Sequence, residues 1–154
     1  MQKPQTNNNS ISDNRSIKTL RDLMTFILDA TRVANSLQTE LIQIVAILED
    51  SQSHQVTQPL KLSVAGTQTS NGLALSPREA AACAKDYRRT IKYLRGLHSA
   101  ISDTRALFPE RPTRVLYGGC GPLAPLVIPL MAVFSPSDVQ FTLLDIHQEA
   151  IESV

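Results

Sequence analysis

The stretch Gly118-Gly119-Cys120-Gly121-Pro122 and the acid Asp145 are the residues of this 154-residue chain whose types and spacing could do chemistry. Glycines at a turn accept positive φ and let a ligand approach the backbone, and a proline just after them is preset for the first turn of a helix. The N–H groups of such a loop, with a helix N-terminus behind it, suit the polar or negative end of a ligand. An ionised aspartate can accept hydrogen bonds from two adjacent hydroxyls, as a ribose offers. The candidate binding set is therefore Gly118, Gly119, Cys120, Gly121, Asp145 and its neighbour Ile146. Cys120 reads as a small loop residue rather than a nucleophile, because no general base stands beside it. No catalytic residue is assigned.

The elements around these residues predict how they meet. Thr113-Arg114-Val115-Leu116-Tyr117 is a short β-branched and apolar strand of the kind buried in a parallel sheet. Residues 123–134 predict a helix kinked at Pro129, Ser135-Pro136-Ser137-Asp138 a turn, and residues 139–144 a second strand that ends in Asp145. In a doubly wound sheet the carboxyl ends of both strands open on one crevice, so the glycine loop and the carboxylate would face one nucleoside-containing ligand.

Residues 115–123, VLYGGCGPL, resemble the first motif of Rossmann-like S-adenosylmethionine-dependent methyltransferases, an apolar strand running into a glycine loop. Phe141-Thr142-Leu143-Leu144-Asp145 is similar to their second motif, whose terminal acid binds the cofactor ribose. The resemblance covers residues 112–154. It implies an α/β fold in which an N-terminal helical region precedes the first β-α-β unit of a Rossmann-like sheet, with S-adenosyl-L-methionine as cofactor and a small-molecule methyl acceptor. Tyr117 stands where the family commonly has an acid, and Leu123 where it has the third glycine of the loop. A complete sheet of this type needs further strands, so the chain is expected to be a truncated first half, inactive alone.

Two other readings compete. Gly119-x-Gly121-x-x-Ala124 followed by Asp145 also satisfies the dinucleotide fingerprint of an NAD(P)- or FAD-binding oxidoreductase. Pro122 and Pro125 count against it by crowding the helix terminus on which a pyrophosphate would sit, and S-adenosylmethionine has no phosphate. The alternative from another class is a non-catalytic helical interaction protein.

Upstream, the chain divides into a polar leader predicted to be disordered over residues 1–15 and a helical cap region over residues 16–111. Leu20, Met24, Ile27, Val33, Ala34, Leu37, Leu41, Ile44, Val45 and Leu48 recur at mostly three- and four-residue steps, the mark of a long helix or a helix pair broken at Asn35-Ser36. Residues 50–76 predict a loop or short hairpin, from the alternation in Leu60-Lys61-Leu62-Ser63-Val64 and Leu73-Ala74-Leu75 and the turn signal Asn71-Gly72. Ser76-Pro77-Arg78-Glu79 reads as a capping box, and one long helix should follow, with Ala80, Ala84, Tyr87, Ile91, Leu94 and Ile101 inward. His98 falls on that stripe and reads as a core histidine.

The outward side of this second helix carries Lys85, Arg88, Arg89, Lys92 and Arg95 around the single acid Asp86. It is a solvated face or one that meets an acidic acceptor. Over the whole chain charge is balanced, with 15 Lys plus Arg against 14 Asp plus Glu, and stacking aromatics are sparse, so nucleic acid is not expected as a partner. The longest apolar run, residues 123–134, falls short of the roughly 20 residues that cross a bilayer. Neither a basic start nor an apolar signal core opens the chain, and Cys83 and Cys120 are the only cysteines, which suits a reducing cytoplasm. The three histidines lie far apart and neither cysteine has a partner at ligand spacing, so no metal site is expected.

Overall fold

Apolar side chains at helical spacing in the first third of the chain fold as two helices, α1 (Asn8–Leu28) and α2 (Gln38–Gln55). A computed structural model describes the backbone of residues 8–55 and 62–154 and the side chains of residues 15–52 and 62–154. The expected leader therefore lies outside the described residues over 1–7, while from Asn8 onward the chain is already helical, eight residues ahead of Ser16.

The break between the helices comes at Asp29, before Asn35-Ser36. The Asp29 carboxylate accepts from Thr31 N (2.9 Å) and Thr31 Oγ1 (2.6 Å), a side-chain turn that competes with helix continuation. Asn35 and Ser36 fall inside a following 3-10 turn, Ala34–Leu37. Every member of the predicted stripe from Leu20 to Leu48 is buried except Val33 and Ala34, which sit in this connection, Val33 with 68% of its surface exposed.

The capping box forms as read: Ser76 Oγ accepts from Glu79 N, and the Glu79 carboxylate accepts from Ser76 N (2.9 Å). The helix it starts, α3 (Pro77–Cys83), is short, and the expected single long helix is two. Asp86 caps a second one, α4 (Tyr87–Leu107), by accepting from Arg89 N at 3.2 Å. An aspartate that bonds its local backbone favours a helix start over a helix interior. Ala84, Ile91, Leu94 and Ile101 are buried as expected, whereas Ala80 and Tyr87 are half-buried.

Helices α1, α2 and α4 pack together around Met24, Ile27, Leu37, Leu41, Ile44, Ile91 and Leu94. Each such side chain contributes about 1.5–3 kcal/mol when fully withdrawn from water, so this bundle is the main apolar store of the fold. Arg95 of α4 ties it at one end, donating from Nε to Ile27 O (2.6 Å) in the last turn of α1 and from Nη2 to Asp29 O (2.8 Å) and Arg32 O (2.9 Å) in the connection that follows. None of the helices among the described residues is long and apolar enough to cross a membrane.

The remaining elements make the fold mixed α/β with two small sheets. One is an antiparallel hairpin of β1 (Thr67–Thr69) and β2 (Gly72–Ala74). Its turn includes the predicted Asn71-Gly72, but the strand opposite is Thr67–Thr69; Leu60 and Lys61 lie outside the described residues, and 62–64 are irregular. The other sheet pairs β3 (Thr113–Gly118) in parallel with β4 (Val139–Leu144), Thr113 opposite Val139 and Gly118 opposite Leu144. Val115, Tyr117, Phe141 and Leu143 turn toward the helices, while Leu116 and Leu144 are 66% and 53% exposed on the other side. The strands are thus covered on one face only, unlike the buried strand that the residue types of 113–117 predict.

Between β3 and β4 the predicted twelve-residue helix does not form. Only one turn, α5 (Ile128–Met131), is helical, and a last short helix, α6 (Gln148–Glu152), follows β4. The prolines explain the shortfall. Pro125 disfavours helical backbone at Ala124, which adopts φ +37°, and Pro122, Pro125 and Pro129 each lack the N–H a helix interior requires. Pro129 is tolerated because it lies in the first turn of α5.

Candidate functional site

The parallel register brings the ends of β3 and β4 level, so the glycine loop and Asp145 leave the sheet side by side. Leu144 O accepts from Gly119 N (2.8 Å) and Cys120 N (3.1 Å), and Asp145 Oδ2 accepts from Gly121 N (2.8 Å). Gly119 at φ +68° and Gly121 at φ +62° hold the left-handed turns that aim these three N–H groups at β4. This corrects one expectation: the loop donors meet the protein's own carbonyl and carboxylate, not open space. A second correction concerns the helix terminus, which is absent here because residues 122–127 form turns rather than a helix.

Asp145 is tightly held. Oδ1 accepts from His147 N (2.9 Å) and pairs with His147 Nδ1 (3.2 Å), and the Asp145 side chain keeps 8% of its surface exposed. Burial works to raise its pKa, but the N–H donors of His147 and Gly121 and the His147 ring outweigh it and hold the carboxyl below the usual aspartate range. It is ionised at neutral pH. His147 reaches onward through Nε2 to Thr67 Oγ1 (3.0 Å), and Glu149 accepts from Ser63 N (3.1 Å). The segment bearing the hairpin is thereby fastened over the end of β4. Sequence reasoning missed His147 and Thr67, which are 80 positions apart and carry no local signal of their pairing.

The candidate residues divide by environment. A methyl group added at Gly118 or Gly119 would meet nothing within 4 Å, so a ligand can lie on the backbone there. At Gly121 it would meet the Ala80 Cβ at 3.1 Å, which makes that glycine a close-packing residue against α3. Cys120 is buried, and burial together with the Asp145 charge pushes its thiol pKa up, away from nucleophilic character. Ile146 is 58% exposed beside the carboxylate.

A cavity of about 280 Å³ opens between α3, α4 and the loop, lined by Arg89, Tyr93, Tyr117, Gly119, Cys120 and Leu126 among others. Of the candidate set only Gly119 and Cys120 reach it; Gly118, Gly121, Asp145 and Ile146 do not. Burial raises the Tyr117 phenol, the charges of Cys120 and Asp145 add to that, and Arg89 opposes it.

The basic side of α4 is not one surface. Lys85, in the connection before α4, pairs with Glu49 at 2.9 Å, Arg88 lies over the Tyr87 ring and bonds its hydroxyl, and Arg95 is taken up by the carbonyls of Ile27, Asp29 and Arg32. Arg89 alone of the five lines the cavity. His98 is half-buried and stacks on Phe134 with centroids 5.1 Å apart, and burial lowers its pKa. Among the described residues no three His, Cys, Asp or Glu side chains gather as metal ligands. Compared with family models, curated proteins and solved structures, the chain finds no match in any of the three.

Proposed function

We propose that this chain supplies the cofactor-binding first part of an S-adenosylmethionine-dependent methyltransferase, with β3, the glycine loop, α5 and β4 as the opening unit of a Rossmann-like sheet. The observation that carries this reading is the 2.8 Å bond from Gly121 N to the Asp145 carboxylate, which sets an ionised acid beside an open Gly118-Gly119 backbone. Asp145 Oδ2 takes one protein donor, and a carboxylate oxygen has room for two, so a ribose hydroxyl can add to it. Methyl transfer moves a methyl group from the sulfonium to an acceptor nucleophile and leaves S-adenosylhomocysteine. The protein's part is chiefly to align that in-line attack.

The dinucleotide alternative loses support from residues 122–127. A pyrophosphate needs a helix N-terminus at the loop, and the first helical turn begins only at Ile128. The interaction-protein reading draws on one observation, the exposed Leu116 and Leu144 on the outer face of the sheet.

Calorimetric titration of the full chain separates these readings. S-adenosylmethionine and S-adenosylhomocysteine should bind saturably and about tenfold or more tighter than NADH, and Asp145→Ala should weaken them about tenfold. Tighter binding of NADH would overturn the assignment, and no binding of any nucleotide-like ligand would favour the interaction protein.

A further inference from the structure

We propose that the cavity between α4 and the glycine loop binds a small apolar monocarboxylate, with Arg89 receiving the carboxylate and the tyrosines Tyr93 and Tyr117 flanking it. Calling that ligand the methyl acceptor rests on the proposed methyl transfer; the binding itself does not. Three features carry it. First, the Arg89 guanidinium makes no hydrogen bond or ion pair with any described residue, whereas Arg88 and Arg95 on the same helix, and Lys85 just before it, are engaged. An unpaired guanidinium at a cavity wall offers a planar fork that matches a carboxylate. Second, the rest of the lining is largely apolar, with Leu75, Ala80, Pro125 and Leu126, so the body of the ligand should be hydrocarbon or aromatic. Third, no Asp or Glu lines the cavity. An amino acid, including the amino-acid end of S-adenosylmethionine, carries an ammonium that would find no carboxylate here, whereas a plain monocarboxylate leaves nothing unpaired. The size suits a small ligand, since about 280 Å³ lies just below the roughly 300–1,000 Å³ of sites for drug-sized molecules.

The chain has three tyrosines and no tryptophan, and two of those tyrosines line the cavity, so intrinsic tyrosine fluorescence reports its occupancy. The full chain is titrated with benzoate and with benzamide, its neutral counterpart of the same shape. Benzoate should give a saturable response and bind about tenfold tighter than benzamide, and Arg89→Gln should abolish that preference while Lys92→Gln, outside the cavity, keeps it. S-adenosylmethionine at saturation should leave benzoate binding intact. Equal binding of benzoate and benzamide, no saturable response to benzoate, or an Arg89→Gln variant that keeps the preference would overturn the proposal. So would strict competition by S-adenosylmethionine, which would give the cavity to the cofactor. Benzoate binding with no S-adenosylmethionine binding would instead sink the methyltransferase reading and leave the carboxylate site standing.

Discussion

The helical bundle and the β3–β4 unit are held by different forces. In the bundle, Met24, Ile27, Leu37, Ile91 and Leu94 are each fully buried, and specific polar bonds matter mainly at its ends, as with Arg95. In the β unit, one face lies open at Leu116 and Leu144, and geometry is fixed by single bonds such as Gly121 N to Asp145 and His147 to Thr67. The contrast teaches that overall stability and site geometry can be perturbed separately. A core supplies most of the folding free energy, while a loop held by few bonds determines what a ligand meets.

The largest expected effect lies in the bundle. Leu94→Ala, at a position with no exposure, should lower unfolding stability by about 2–5 kcal/mol in urea denaturation. A loss under about 1 kcal/mol would mean that the bundle is not the principal core. Arg95→Met should follow at about 1.5–3 kcal/mol, because the carbonyls of Ile27 in α1 and of Asp29 and Arg32 just after it lose a charged donor. An unchanged midpoint would show that those carbonyls find water instead.

In the β unit the leading change is Asp145→Ala, which strands the Gly121 and His147 N–H groups and should cost about 1–3 kcal/mol. Its pH signature is separate. Because the folded Asp145 pKa is lowered, its contribution is fully present above the usual aspartate pKa and is lost as pH falls through the lowered folded value. Stability of the native chain should therefore drop more steeply below about pH 4 than that of Asp145→Asn, as measured by denaturation across pH. Parallel curves would deny Asp145 this role. The smallest effect belongs to the open face: Leu116→Asn, where the side chain is 66% exposed, should stay within about 0.5 kcal/mol. A larger loss would show that this face is covered in solution.

Legibility in the sequence tracked the range of the interactions involved. The capping box at Ser76 and Glu79, both strands of the parallel pair and the stripe from Leu20 to Leu48 rest on near neighbours, and their residue types disclose them. Proline context is harder to weigh: Pro129 predicts a kink within a helix over residues 123–134, whereas Pro125 acts on Ala124 before it and leaves residues 122–127 without a helix. Asp86 likewise stands in the sequence only as the single acid among five basic residues, although it caps α4. The site was visible as a set of residues but not as a geometry. Whether Asp145 looks outward or back to Gly121, and which of five basic side chains reaches a cavity, depends on packing between distant segments.

The proposed nucleoside site is tested most directly by amide ¹H–¹⁵N NMR of the full chain during titration with S-adenosylmethionine. The largest shifts should fall on Gly118, Gly119 and Ile146, with residues of the α1–α2 connection unmoved. Saturating cofactor that leaves the signals of residues 118–121 and 145–147 in place would contradict the account.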